Sequence, residues 1–350
     1  MANIDPKFGA QLKKFGAANF QACYNCGTCT AVCSLSTPED SFPRNMVRCS
    51  ALGLETEIGS SLKPWLCYYC GECSVHCPQD AQPGELMMSL RRWLTSKYDW
   101  TGFSGLLYKS LWVTIIALLA VALGVIGFSY QQGFELETMM HVGHYFEMIA
   151  IGVVFGIVLV PNIIRMWYFV ILKPKKKVTL ATYLKASAEL FIHMFTQKRS
   201  LGCEDNQLRW FEHLVLVFGY LALLFTTVFF DWFGSDNTFV IALGYIESIV
   251  VFIITIDFVN SRIKKSKAVS THSQPSDWLF VVGLLLMGLT AFIVRLAIDF
   301  QFIESQKWIY ILHLIILAQW ALIVVPFGKW THFLYRSFAM YFAKVIALSK

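Results

Sequence analysis

From Leu111 onward the chain alternates long apolar runs with short polar stretches, whereas its first hundred residues mix the two every few positions. Six apolar stretches stand out: Leu111–Phe128, Met139–Ile164, Phe211–Phe230, Phe239–Val259, Trp278–Ile298 and Trp308–Phe327. Each has roughly the 17–25 residues that carry a helix across a hydrocarbon core. The pattern therefore predicts an all-α protein, with a domain at residues 1–100 and a six-transmembrane-helix domain at 101–350. Leu86–Trp100 reads as a short amphipathic helix leading to the membrane. Lys173–Arg209 is basic, partly amphipathic and too polar to span, which suits a helix lying along the inner surface.

Composition agrees, with 56% apolar and 15% charged residues and a positive mean hydropathy. The net charge of +6 alone would admit nucleic acid as a partner. Its placement argues for membrane lipid instead, because basic residues gather just beyond the ends of the apolar runs. With residues 1–109 inside, the outer loops 129–138, 231–238 and 299–307 hold one basic residue, Lys307. They also hold Glu135, Glu137, Asp231, Asp236, Asp299 and Glu304. The inner segments carry Arg91/Arg92/Lys97, Lys173/Lys175/Lys176/Lys177, Arg262/Lys264/Lys265/Lys267 and Lys329/Arg336. This asymmetry places both termini in the cytoplasm and the chain in the cytoplasmic (inner) membrane. Met1 to Phe20 lacks the apolar core of a signal peptide, as expected for a cytoplasmic N-terminal domain. No internal repeat of the transporter kind is visible, which disfavours a transport subunit with regulatory clusters.

Ten cysteines in a reducing compartment point to metal rather than disulfides. Cys23, Cys26, Cys29 and Cys33 form C-x2-C-x2-C-x3-C, and Cys67, Cys70, Cys73 and Cys77 repeat it, followed by Pro78. Such runs bring three thiolates to one cubane, and the fourth cysteine usually reaches the other cluster. One [4Fe–4S] centre is accordingly assigned to Cys23, Cys26, Cys29 and Cys77, and the second to Cys67, Cys70, Cys73 and Cys33. Zinc sites pair two C-x2-C knuckles rather than runs of four, so zinc is the weaker reading. Ser34 stands where proline is usual after the first run. Cys49 reads as a buried small hydrophobe, Cys203 has no partner in sequence, and His76, beside Cys77, reads either as a support to a cluster ligand or as a surface residue. The 33 residues between the runs lack strand-like alternation, which predicts a helical ferredoxin module.

The histidines are informative by depth. His141 and His144 lie at the outer end of the second span, and His313 lies inside the outer end of the sixth. His213 is at the inner end of the third span, and His332 lies just past Pro326. Polar side chains at such depths need partners, and a b-type haem needs two axial imidazoles. The outer pair is read as His144 and His313, with His141 the competitor for His144, and the inner pair as His213 and His332. On an unbroken helix His313 and His332 would lie about 28 Å apart and point about 100° apart, a mismatch that a kink at Pro326 can absorb. A lone histidine near a helix end is more often interfacial, and His193 and His272 are read as surface residues. His141, Glu147 and Arg295 are candidates for a quinone site, against the bland reading that the two charges pair with neighbours or snorkel. Glu247 and Asp257 are further intramembrane carboxylates.

The cysteine motifs C-x-x-C-G-x-C and W-L-C-x-x-C-x-x-C-x-x-H-C-P resemble those of the iron–sulfur C subunit of heterodisulfide reductase. The remainder resembles the haem b subunit of that system and the gamma subunit of respiratory nitrate reductase, most closely from His313 through Pro326-Phe327-Gly328-Lys329 to His332. The fusion, through Tyr98-Asp99-Trp100-Thr101-Gly102, is similar to the C subunit of the quinone-interacting membrane-bound oxidoreductases. One departure is Leu223, where the nitrate reductase pattern has a second histidine. The resemblance implies a respiratory-complex subunit in sulfur metabolism with two [4Fe–4S] clusters, two haem b groups and menaquinone or its quinol as substrate. Its implied partners are flavin- and iron–sulfur-containing cytoplasmic subunits and adenylylsulfate reductase. No Cys-Cys pair of the kind found in the catalytic part of heterodisulfide reductase occurs, so the terminal catalytic site is expected on a partner.

Overall fold

The computed structural model describes residues 4–197, 207–228, 237–266 and 268–349. The described residues contain no strand, only an isolated bridge between Thr37 and Asp40, so the all-α expectation holds. Eight short helices come first: α1 Phe8–Lys14, α2 Thr28–Ala31, α3 Arg44–Ala51, α4 Glu55–Gly59, α5 Lys63–Leu66, α6 Glu72–Val75, α7 Pro83–Tyr98 and α8 Phe103–Lys109. Then follow α9 Leu111–Gln131, α10 Leu136–Val153, α11 Val160–Trp167, α12 Leu180–Thr196 and α13 Gln207–Val228. Longer helices after these are α14 Thr238–Lys264, α15 Pro275–Asp299, α16 Lys307–Gln319 and α17 Thr331–Leu348, with a single turn at Ala268–Thr271 between α14 and α15. Five helical segments among the described residues are long and apolar enough to cross a membrane, those built on α9, α10, α14, α15 and α16. The remaining expected span, Phe211–Phe230, is helical to Val228, and its end lies outside the described residues.

The chain forms two compact units. One comprises Met1–Ser110, Val158–Glu204 and Trp330–Lys350, the other Leu111–Ile157 and Asp205–Lys329. Compactness thus divides the chain differently from a cut at residue 100, because α11 and α17 pack with the N-terminal helices and α12 packs on α17.

In the first unit α7 is the central helix. Pro83 opens it at a position where no N–H is needed, and Glu85 lies in its first turn. Its apolar residues Leu86, Met87, Leu90 and Leu94 are fully buried, in one core with Phe8, Leu12, Ile58, Trp65, Tyr98, Tyr335 and Ala339. Each such side chain contributes about 1.5–3 kcal/mol through burial. Arg165 closes the helix by donating to the carbonyls of Lys97 (3.0 Å) and Tyr98 (2.9 Å). Asp99 then turns the chain, accepting from Thr101 N (2.9 Å) and Ser104 N (2.7 Å) to start α8.

Two expectations are corrected here. The amphipathic membrane lead-in is a core helix buried on nearly every side. Its basic residues are not lipid-surface charges: Arg91 and Arg92 are buried, donating to backbone carbonyls, and Lys97 pairs with Glu55 at 2.6 Å. His193, expected at the surface, is buried on α12, whose neighbour is α17; His272 is exposed as expected.

In the second unit, Asn237 caps α14 by accepting from Phe239 N at 2.9 Å. Asp277 accepts from Gln274 N at 2.9 Å to start α15 and pairs with Lys329 at 2.7 Å. α9 turns Trp112, Ile116, Leu119 and Leu123 outward, as a lipid-facing helix does. Beyond α16 a π-helical turn, Trp320–Val324, precedes Pro326, the helix ends at Phe327, and α17 begins at Thr331. The expected kink is therefore a break. A Cβ on Gly328 would sit 2.6 Å from the Val324 carbonyl oxygen, so the chain passes there only as glycine. His313 and His332 lie on separate helices, and the 100° mismatch of an unbroken helix does not arise.

Candidate functional site

The two cysteine runs fold into the same loop twice. Asn25 and Tyr69 occupy equivalent positions with φ of 68° and 60°, and Gly27 and Gly71 follow, both at 92°. Left-handed residues at these points let the backbone curl around the sulfurs. Asn25 N donates to Cys23 Sγ and Tyr69 N to Cys67 Sγ, both at 3.4 Å. Ala81 N donates to Cys77 Sγ at 3.3 Å, and Thr28 Oγ1 lies 3.3 Å from Cys26 Sγ. Each loop ends in a one-turn helix, α2 or α6, and these two pack together. Gly84 fits closely, since a Cβ there would lie 3.0 Å from Ser74 Oγ and 3.7 Å from Cys73 Sγ.

The thiols sit at different depths. Cys29, Cys67 and Cys73 are buried, Cys23, Cys33, Cys70 and Cys77 half-buried, and Cys26 exposed. Burial pushes the Cys29 thiol up, and the thiolates of Cys23, Cys26 and Cys77 add to the push. Cys33 is raised by burial and, across the fold, by Cys67 and Cys70. Burial also raises Cys73, helped by Cys67, Cys70, Cys33 and Cys29. Cys26 is lowered, chiefly by its hydrogen bond with Thr28. Packing thiolates this tightly is unfavourable unless cations lie among them, and iron supplies the cations. Each fourth cysteine thus has the other run among its neighbours. Among the described residues no three such side chains close to single-ion spacing, and a cubane of four irons asks for a wider cage.

The second unit contains a cavity of about 600 Å³ lined by His141, His144, Glu147, Tyr310, His313 and Trp320, among others. α10 contributes the first three and α16 Tyr310 and His313. The helices approach closely at Gly143, where a Cβ would stand 3.3 Å from both Tyr310 Oη and Leu314 Cδ2. His313 Nδ1 lies 2.9 Å from Thr290 Oγ1 of α15, which fixes the ring and leaves Nε2 as its other nitrogen. His141 meets the ring of Tyr145 edge-on at 4.9 Å. Imidazoles on two helices around one cavity are the donor set a haem takes.

Residues 22–82 match the family model of the 4Fe-4S dicluster domain. The N-terminal part of this chain is a 4Fe-4S dicluster domain. The chain is 30% identical over 96 residues to a protein of Archaeoglobus profundus that is like the C subunit of heterodisulfide reductase, covering 27% of this chain and 51% of that protein. It is 34% identical over 77 residues to the C subunit of the H(2):CoB-CoM heterodisulfide,ferredoxin reductase of Methanothermobacter thermautotrophicus, covering 22% and 42%. The C subunit of the ferredoxin:CoB-CoM heterodisulfide reductase of Methanosarcina acetivorans shares 33% over 70 residues, covering 20% and 28%. The chain spans about half the length, or less, of the curated relatives it matches. No solved structure matches it. These relatives are named as C subunits of heterodisulfide reductases or as like one, and the chain is similar to them over its iron–sulfur part, which precedes helices long and apolar enough to cross a membrane.

The dicluster domain brings all eight expected cysteines into two loops and leaves Cys49 on α3, outside them. Cys203 lies outside the described residues. His76 is exposed and bonded to the Glu72 carbonyl of its own helix, which favours the surface alternative over a support to a cluster ligand. Of the expected haem ligands, His144 and His313 share the cavity, while His213 is on α13 in the second unit and His332 in the first turn of α17 in the first. Of the quinone-site candidates, His141 and Glu147 line the cavity. Arg295 does not; it pairs with Asp299, which also accepts from Tyr245 Oη at 2.6 Å. This is the neighbour pairing that was the bland alternative for Arg295. Glu247 is buried on α14, and its carboxylate oxygens have no hydrogen-bond partner among the described residues. Sequence reasoning missed Thr290, a threonine in an apolar helix with no motif around it.

Proposed function

We propose that this chain is the membrane subunit of a quinone-linked oxidoreductase, moving electrons between the lipid phase and a cytoplasmic flavoprotein. The dicluster domain, residues 1–100, holds one cluster by Cys23, Cys26, Cys29 and Cys77 and the other by Cys67, Cys70, Cys73 and Cys33. Residues 101–350 hold haem b by His144 and His313 on the outer side and by His213 and His332 on the inner side. The single observation that carries the reading is that His144 and His313, distant in sequence, line one cavity among apolar helices of a chain that also bears a dicluster domain. When bound, such groups supply one-electron carriers. The protein's part is to position them: Thr290 orients His313, and close approach at Gly143 sets the spacing of α10 and α16. His141 and Glu147 at the cavity provide an acid–base pair for the protons that accompany quinol oxidation.

We further place the substrate as menaquinone or its quinol, and the partners as flavin- and iron–sulfur-containing cytoplasmic subunits serving adenylylsulfate reductase. Both termini are cytoplasmic, and the membrane is the inner one. The names of the relatives favour a second reading, a heterodisulfide reductase-type complex with the same internal electron path and a different acceptor.

A dithionite-reduced minus oxidised spectrum with haem quantified per chain tests the proposal. Two haems support both pairs and one supports a single pair. A chain colourless in the Soret region that keeps its iron and sulfide overturns the reading. Electron delivery to adenylylsulfate reductase or to a disulfide, each assayed with a menaquinol analogue, separates the two acceptors.

A further inference from the structure

Arg91 is 8% exposed in the core of the first unit. Its Nε donates to the Pro64 carbonyl at 2.7 Å and its Nη2 to the Cys67 carbonyl. Among the described residues no carboxylate pairs with it. The groups that act on its charge are the Cys67 thiolate, Tyr69 and the like-charged Arg92. A buried guanidinium with only carbonyl partners is costly, because desolvation is offset only by an opposite charge. Both groups that favour its charged form, Cys67 and Tyr69, belong to the second cysteine run. Four thiolates outweigh the positive charge of an oxidised cubane core, so a loaded cluster is anionic, and reduction adds one further negative charge.

We propose that Arg91 is a built-in counter-cation of the cluster held by Cys67, Cys70, Cys73 and Cys33, and that it raises that cluster's reduction potential. The inference rests on the cluster assignment above and concerns only the tuning of one site. A cation beside an anionic centre favours the more negative, reduced form, and hydrogen bonding and burial are known levers on cluster potentials. The first run has no equivalent. Arg44 lies over Gly27, where a Cβ would be 3.1 Å from its Nη1, but that side chain is half-buried and water screens it. The same loop has therefore been given two electrostatic settings, one near solvent and one against a buried fixed charge.

The test is a redox titration of the full chain followed by low-temperature EPR, comparing the unsubstituted protein with Arg91→Gln and Arg91→Lys. At a fixed ambient potential, Arg91→Gln lowers the reduced fraction of one cluster by about tenfold or more, as loss of a unit charge within about 10 Å implies. The other cluster does not move. Arg91→Lys keeps the charge and restores most of the shift. Unchanged potentials in Arg91→Gln at full iron content, or an equal shift of both clusters, overturn the proposal. If Arg91→Gln loses a cluster, retention of that cluster at its original potential in Arg91→Lys supports the electrostatic role. Loss in both variants makes Arg91 a brace for the loop and overturns it. Absence of cubane signals from the unsubstituted protein would instead overturn the cluster assignment.

Discussion

The thiol cage and the imidazole cavity are built in opposite ways. The cage is made by repetition, two runs of four cysteines folded into the same loop with the same left-handed residues at Asn25/Tyr69 and Gly27/Gly71. The cavity is made by convergence, with His144 and His313 separated by more than a hundred and fifty residues and joined only because α10 and α16 pack together. In the first case most of the site is local, so the spacing of the residues nearly is the site. In the second, tertiary packing creates it, and a few ångströms of helix shift would dissolve it.

The largest effects should come from the cage, and they probe its one non-local feature. Cys77→Ala should remove the same EPR signal as Cys26→Ala and about half of the bound iron, while Cys33→Ala should match Cys70→Ala. Burial of Cys29 beside Cys77 and of Cys73 beside Cys33 motivates this crossed pattern. Were Cys77→Ala to match Cys70→Ala instead, each run would hold its own cluster and the cage would be wholly local.

Next comes the cavity. His313→Ala should remove one haem per chain and leave iron and sulfide in the dicluster domain unchanged, as judged by pyridine haemochrome and iron assays. If His144→Ala has no effect where His313→Ala does, then His141, which lines the same cavity, is the second ligand. Unaltered haem in both variants breaks the comparison, because convergence would then have made a pocket without a metal site.

Why one site was readable and the other only partly so follows from the same contrast. The thiol runs announce themselves through spacing, and the five membrane-length helices through apolar length. What escaped was whatever depends on which face packs. Arg91 and Arg92 look like the basic collar of a membrane helix, but α7 is enclosed by α1, α3, α4, α5 and α6. His193 looks like a polar residue on a surface helix, yet it is buried on the helix that lies beside α17. Pro326 promised a kink, and the adjoining Gly328, with no room for a Cβ, made it a break. The spacing of amphipathic residues tells that a face is covered, not by what.

A core substitution sharpens the contrast at intermediate strength. Leu90 is fully buried on α7, and Leu90→Ala should destabilise its unit by about 2–5 kcal/mol. Denaturant titration followed by the visible absorbance of the clusters should show the lower midpoint. Absorbance of the haem at His144 and His313, whose ligands both lie in the other unit, should keep its original midpoint if the units unfold separately. A common shift of both signals would show one cooperative transition and make the two sites energetically inseparable.

The smallest effect is expected at Thr290. Its hydroxyl is 2.9 Å from His313 Nδ1, and the hydroxyl also reaches the Leu286 carbonyl at 2.7 Å within its own helix. Of the two possible tautomers, a metal-binding Nε2 requires the proton on Nδ1, which then donates to Thr290 Oγ1. Thr290→Val preserves shape and apolar volume but removes the acceptor. The ring should lose its fixed orientation, and haem affinity should fall by about tenfold, the lower end of what outer-shell partners contribute. Thr290→Ser, which keeps the oxygen, should restore it. Haem release followed by transfer to apomyoglobin would measure the difference. A cavity assembled by convergence needs such outer supports, whereas the cage has its backbone N–H groups already aimed at sulfur. If Thr290→Val leaves the release rate unchanged while His313→Ala abolishes binding, packing alone orients the imidazole. The cavity would then share the self-sufficiency that distinguishes the cage.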